Sequence, residues 1–209
     1  EETRIRGHLG KGFVVGIALA YGDDKFYFPL NHKEDKTGYP PNYVWKNLNK
    51  KIFQNEKVTK VFHNAMYDVC WIRAVTKKMV KGPIVDTMIA ASVIDENRMR
   101  YSLDSLAKDY KIGSKNKYDL EEKALDQHGI SDPMSNMHKL PHSLVKDYAE
   151  QDVNLTLKLW NIFEKIIKTP VKTESKNKKT LENIFNLETS LFPCLVDMRF
   201  KGVRIDEKK

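Results

Sequence analysis

The amino-acid sequence predicts an α/β fold with a mixed central β-sheet flanked by helices. Three observations carry that expectation: two β-branched and aromatic runs at the start joined by a tight turn, short apolar runs that each lead into a helical pattern, and a long helical period late in the chain.

The first run, Lys11 to Ala20, is apolar and β-branched. Gly22-Asp23-Asp24 supplies a turn, and Lys25 to Leu30 reads as the antiparallel partner. Pro40-Pro41 breaks the chain, after which Tyr43, Leu48, Ile52 and Phe53 recur at helical spacing. Val58 to Phe62 reads as a short strand delivering His63 and Asn64 to its C-terminal end, with a helix following from Tyr67 to Thr76. Pro83 to Asp86 repeats the pattern and leads into a helix from Thr87 to Ile94. Ser102 is placed to N-cap a further helix that opens Leu103-Asp104-Ser105-Leu106-Ala107. The segment from Asp126 to Ser143, with its Gly, Pro, Ser, Asn and three His, reads as a functional loop. Leu144 to Ile167 is the longest periodic helix and carries Tyr148 and Asp152 four residues apart, on one face.

Residues 168 to 180 are charged and poor in apolar side chains, the expected linker after a first domain of residues 1 to 167. Beyond it Leu181, Ile184, Leu187, Leu191, Leu195 and Met198 form one apolar stripe ending at Gly202, a suitable C-cap. The stripe predicts that residues 181 to 209 begin a further region.

Composition narrows the function classes. At 209 residues and 41% hydrophobic content the chain can bury a substantial core. No run reaches the roughly 18 apolar residues of a membrane span, and Glu1-Glu2-Thr3-Arg4 lacks the pattern of a secretory signal. Cys70 and Cys194 stand far apart and outside any CxxC spacing, which argues against a disulfide framework or zinc site and fits a reducing, intracellular compartment. The net charge of +8 suits a polyanion such as nucleic acid. Only seven of the 36 basic residues are Arg, however, and Lys- and Asn-rich composition also follows from A/T-biased coding.

The motifs are more specific than the charge. Glu2-Thr3 at the start, Asn64-x-x-Tyr67-Asp68 after a strand, Asp86-Thr87-Met88 after another, Arg100-x-x-Leu103-Asp104-Ser105-Leu106-Ala107, and Tyr148-x-x-x-Asp152 on a helix occur in that order. Together they resemble the 3′→5′ proofreading exonuclease domain of family A DNA polymerases, within the four-acid exonuclease superfamily and its tyrosine subclass. The surroundings of Leu140-Pro141 and Tyr148 are similar to phage-type members, and the tail from Glu188 to Asp206 resembles the segment leading toward the polymerase thumb. The resemblance implies a ribonuclease-H-like fold, a polymerase domain C-terminal in the same chain, and a single-stranded DNA 3′ end as substrate. It also implies contact with other replication proteins, no membrane, and the cytoplasm of a bacterium or phage-infected host.

In-line phosphodiester cleavage needs a hydroxide near neutral pH and stabilisation of the leaving 3′ oxygen, which two divalent ions roughly 3.5–4 Å apart supply. Hard Mg²⁺ or Mn²⁺ takes oxygen ligands and keeps several waters, so a few carboxylates on separate elements suffice. The resemblance implies Glu2, Asp68 and Asp152 as catalytic metal ligands, Asp68 through water, with Tyr148 orienting the attacking water. It implies that Thr3, Asn64, Tyr67 and Arg100 meet substrate, Tyr67 also packing to position the helix that bears Asp68. The first motif of the family is Asp-x-Glu-Thr, whose Asp would lie one position before Glu1, so a truncated start and first strand are expected. Glu1 is no substitute, because strand period puts alternate residues on one face.

Plainer roles stand beside these. Asn64 can cap a helix and Asp68 can serve its dipole. Tyr148 and Asp152 can be the solvent edge of an amphipathic helix, and Arg100 can hold an ion pair. Asp86 reads as a helix cap that braces the fold, His63 as a strand-end group, His128, His138 and His142 as loop polar groups, and the aromatics of residues 25 to 30 as core. Two other functions remain open: an RNA 3′-end-trimming exonuclease of the same subclass, and a non-catalytic exonuclease-like module that binds DNA or braces a polymerase.

Overall fold

The computed structural model describes residues 12–33, 39–115, 117–170 and 180–202. Among them, strands β1 (Gly16–Tyr21) and β2 (Asp24–Pro29) pair antiparallel, with Tyr21 opposite Asp24 across a two-residue loop. Gly22 opens that loop at φ +60°, the position where a type II′ hairpin needs glycine. The hairpin is tied to distant sequence by His32, which is buried. The His32 Nδ1 lies 2.9 Å from the Leu140 carbonyl and its Nε2 2.8 Å from the Tyr27 hydroxyl. A carbonyl only accepts, so Nδ1 carries the proton and Nε2 accepts from Tyr27. Burial of Tyr27 pushes its phenol well above the ordinary range, keeping it a donor.

Helix α1 (Pro41–Leu48) continues into a π-helical turn at Asn49–Phe53 and turns its apolar face inward. Strands β3 (Lys60–Phe62) and β4 (Ile84–Asp86) are parallel, joined through helix α2 (Ala65–Thr76) as a βαβ unit. Helices α3 (Thr87–Ile94), α4 (Leu103–Asp109), α5 (Lys117–His128), α6 (Pro133–Asn136), α7 (His142–Lys168) and α8 (Glu182–Lys201) follow.

The β3/β4 pair divides two cores, because neighbouring strand residues point to opposite faces. Ile84 joins Val44, Leu48 and Phe53 of α1, Ala65, Val69, Cys70 and Ile72 of α2, and Phe192 and Val196 of α8. Val85 joins Ala90 and Ala91 of α3, Leu103, Leu106 and Ala107 of α4, Leu155, Leu159, Phe163 and Ile167 of α7, and Phe185 of α8. A third, smaller cluster of Leu120, Ala124, Leu140 and Val145 supports the N-terminal half of α7, with Tyr27 and Tyr148 packed against it.

Antiparallel and parallel pairing are both present, as a mixed α/β fold requires, but among the described residues they form two separate two-stranded ladders. The expected truncation of the first strand bears on residues 1–11, outside the described residues. Two local expectations change, at residues 126–143 and in the aromatic run of residues 25–30, while a helix not assigned from sequence appears and one apolar stripe divides from its neighbours. Residues 126–143 are largely ordered as the end of α5, the short α6 and a 3₁₀ turn at Met137–Lys139. Helix α5, unassigned from sequence, buries only Leu120 and Ala124, and i,i+4 pairs such as Lys117–Glu121 and Lys123–Asp119 line its charged surface. In α8 the stripe Ile184, Leu187, Leu191, Leu195 and Met198 is exposed, whereas Phe185, Phe192 and Val196 turn inward. Burial of two aromatic rings outweighs that of the aliphatic face. Arg73 fastens α2 to α8 by an ion pair with Asp197 and by lying 4.5 Å from the centre of the Phe200 ring. The aromatic run of residues 25–30 is also less buried than expected, since Phe26 is about half exposed.

A Cβ added at Gly16 would run into the Tyr27 hydroxyl. Gly16→Ala must therefore move the Tyr27 ring and break its bond to His32. The expected cost is about 1–3 kcal/mol of stability, seen as a lower urea midpoint at unchanged slope.

Candidate active site

The β3–α2 and β4–α3 junctions are built on one buried carboxylate. Asp86 ends β4, and its Oδ1 accepts the Met88 N–H at 2.8 Å, capping α3. The same Oδ1 accepts the Asn64 N–H at 2.9 Å and Oδ2 the Ala65 N–H at 2.8 Å. Two helix N-termini thus share one cap, and the carboxylate sits favourably at both dipoles. This bears out the bracing role expected of Asp86. It also explains why α2 starts at Ala65, two residues before the sequence pattern begins.

Asn64 stands at the cap position with φ 63°, a left-handed conformation that Asn tolerates, and its own side chain makes no capping bond. It is exposed, and the plainer expectation of Asn64 as the cap gives way to Asp86. Next to it, the Thr87 hydroxyl donates to the Phe62 carbonyl at 3.1 Å, so His63 Nδ1, 2.9 Å away, donates to Thr87. Burial lowers the His63 pKa, the Asp86 charge opposes that fall and the Lys115 charge adds to it. His63 is a satisfied strand-end group, as expected.

Asp68 lies in the first turn of α2 and is half-buried. Desolvation, with the Asp86 charge added, pushes its carboxyl up to about 7. Tyr67 does not pack inward as expected: it is 56% exposed, its ring 6.5 Å from that of Trp71 in an edge-on contact. Adjacent residues on a helix point about 100° apart, so turning Asp68 inward turns Tyr67 out. Arg100 is exposed and takes part in no ion pair among the described residues; the structural pair belongs to Arg98 and Asp109. Glu2 and Thr3 lie outside the described residues.

On α7, Tyr148 and Asp152 stand one turn apart. Asp152 Oδ2 receives the Lys115 Nζ at 2.6 Å, which also lies 3.4 Å from the Tyr148 hydroxyl and 5.4 Å from the centre of its ring. Asp152 Oδ1 is buried with no hydrogen-bond partner. Burial raises the Asp152 pKa and Lys115 pulls it back, leaving it above the usual range. Burial works against the Lys115 ammonium, yet Asp152 and Tyr148 raise its pKa on balance. Tyr148 is raised by burial and by Asp152.

Lys115 was not found from sequence, because nothing in Gly113-Ser114-Lys115 distinguishes it from a solvated loop. Its charge reaches both Asp152 and His63, so the β3–α2 junction and the wall of α7 share one neighbourhood. Among the described residues no three His, Cys, Asp or Glu side chains are grouped to hold a metal ion. The unpartnered Asp152 oxygen and the all-oxygen donor set nonetheless fit a hard divalent cation.

This α/β fold with carboxylates at strand ends and on a facing helix agrees with what comparison shows: the 3′-5′ exonuclease family of A-type DNA polymerases matches residues 1–168, and the chain belongs to it. It is 31% identical over 199 residues to the DNA polymerase DpoZ of Acinetobacter phage SH-Ab 15497, covering 94% of this chain and 29% of that one. Over 204 residues it is 34% identical to the DNA-directed DNA polymerase of Pseudomonas phage M6, covering 96% and 28%. DNA polymerase I of Borreliella burgdorferi is 25% identical over 203 residues, covering 93% and 19%. The chain therefore spans less than a third of the length of each of these relatives.

Removing the Asp86 carboxylate strands three backbone donors at once. Asp86→Ala is expected to lose at least about 3 kcal/mol at roughly 1 kcal/mol or more per donor. Hydrogen exchange would show the loss first at the amides of Asn64, Ala65 and Met88.

Proposed function

We propose that this chain is the divalent-metal-dependent, proofreading 3′→5′ exonuclease of a DNA-directed DNA polymerase, with a ribonuclease-H-like architecture. In this reading it releases nucleoside monophosphates from single-stranded or frayed 3′ ends. The observation that carries the reading is the pairing on α7: a phenol one turn from a carboxylate that keeps one buried oxygen without a hydrogen-bond partner. The names of the relatives, all DNA polymerases, support DNA over RNA as substrate.

Glu2, Asp68 and Asp152 would hold two Mg²⁺ or Mn²⁺ ions, Asp68 through water. Bound there, the ions supply a nucleophilic hydroxide and neutralise charge on the leaving 3′ oxygen. The protein contributes position. Tyr148, its ring braced on the cluster around Leu140 and Val145, directs its hydroxyl toward the Asp152 side and orients the attacking water. Asn64, held by Asp86 at an exposed turn, and Tyr67, exposed on α2, would meet the terminal nucleotide together with Thr3; the exposure of the first two supports this role. The exposed Arg100 offers a guanidinium to phosphate. Selectivity for mispaired ends then follows from fraying, since only an unpaired strand reaches the acids.

The partners in this reading are a primer-template 3′ end, a polymerase domain C-terminal to this segment, and other replication proteins in a bacterial or phage-infected cytoplasm. No helix among the described residues is long and apolar enough to cross a membrane.

The test is Mn²⁺-stimulated, stepwise 3′ shortening of a 5′-labelled single-stranded oligodeoxynucleotide by the chain supplied with an Asp one position before Glu1. Asp152→Ala should fall to background, and Tyr148→Phe should lose roughly 10²-fold in kcat while binding DNA normally. Equal rates in Asp152→Ala and the unchanged chain would favour the non-catalytic role. Faster trimming of structured RNA than of DNA would favour the RNA reading.

A further inference from the structure

We propose that Lys115 is a tethered cation standing in for the divalent ion at Asp152: its ammonium occupies Oδ2 until a metal ion displaces it, and so sets how tightly the site takes metal. The inference rests on the metal-ligand reading of Asp152 given above.

The lysine is held there by built geometry rather than by chance contact. Its backbone N–H donates to Asp104 Oδ1 at 3.0 Å. The preceding carbonyl, of Ser114, accepts from Gln151 Nε2 at 2.7 Å, so α7 itself grips the loop that carries Lys115. Gly113 brings this loop in at φ +134°, where a Cβ would lie 3.2 Å from the Leu155 side chain. The ion pair is largely shielded, with side chains 22% and 25% exposed. An ionised carboxylate so placed needs a cation, and the ammonium supplies one charge while leaving Oδ1 unpartnered. A divalent ion brings twice the charge and can use both oxygens, so the two cations compete for one ligand. In the same pose the ammonium lies 5.4 Å from the centre of the Tyr148 ring, which adds to its hold at Oδ2.

The test is Mn²⁺ affinity of the full chain by calorimetry. Lys115→Met keeps the stem and removes the charge, and should bind Mn²⁺ roughly tenfold more tightly, the equivalent of one charge-assisted hydrogen bond. Lys115→Arg should stay near the unchanged protein. Equal or weaker binding in Lys115→Met overturns the proposal, as does tightening of Lys115→Arg to the same extent. If Lys115→Met does not fold, acylation of Lys115 in the unchanged protein decides: its rate should rise when Mn²⁺ is added, and a rate indifferent to Mn²⁺ contradicts displacement. Failure of the unchanged chain to bind Mn²⁺, or undiminished binding by Asp152→Ala, removes the metal-ligand reading itself. Normal binding lost in Asp152→Ala but indifferent to Lys115→Met removes only the inference.

Discussion

Two parallel strands that each hand over to a helix leave backbone N–H groups pointing into the interior at the same end of the sheet. The Asp86 carboxylate satisfies three of them, two from the β3–α2 turn and one from α3. This single bridge fixes the register of the βαβ unit at its C-terminal edge, the edge where ligands of α/β folds gather. Asn64 can sit left-handed and exposed because its N–H is anchored. Asp68 is carried inward because α2 starts where the bridge tells it to start. The same carboxylate adds to the burial that holds Asp68 near 7, so fold and site electrostatics have a common source.

Facing this edge, α7 presents Tyr148 and Asp152 from a rigid helix whose C-terminal half is locked into the second core. The geometry distinguishes the two: Tyr148 is braced by apolar contacts, whereas Asp152 keeps one buried oxygen without a hydrogen-bond partner. A buried carboxylate of this kind is costly alone, and the Lys115 contact offsets that cost at Oδ2 while Oδ1 stays unpartnered.

Much of this was legible in the sequence wherever the signal was local. Asp86-Thr87 after an apolar run identifies a helix cap, and Ser102 does the same for α4. The spacing of Tyr148 and Asp152 on a long periodic helix places them on one face. What escaped was long-range or ambiguous. The second cap made by Asp86 spans 22 residues and the Lys115–Asp152 contact 37, and no period encodes either. Helix α5 escaped because charged pairs, not an apolar stripe, line most of its surface. In α8 two apolar sets are interleaved, the aliphatic stripe and Phe185, Phe192 and Val196, and periodicity alone cannot say which one packs.

The proposed role of Asp152 is that of a metal ligand beside a 3′ end. Anomalous diffraction from crystals of the full chain with Mn²⁺ and a short single-stranded oligodeoxynucleotide tests it most directly. The expected result is a Mn²⁺ peak in contact with Asp152 and Glu2, with the terminal phosphate and the Tyr148 hydroxyl beside it. A terminal phosphate seated between α2 and α7 with no Mn²⁺ at Asp152 would contradict it.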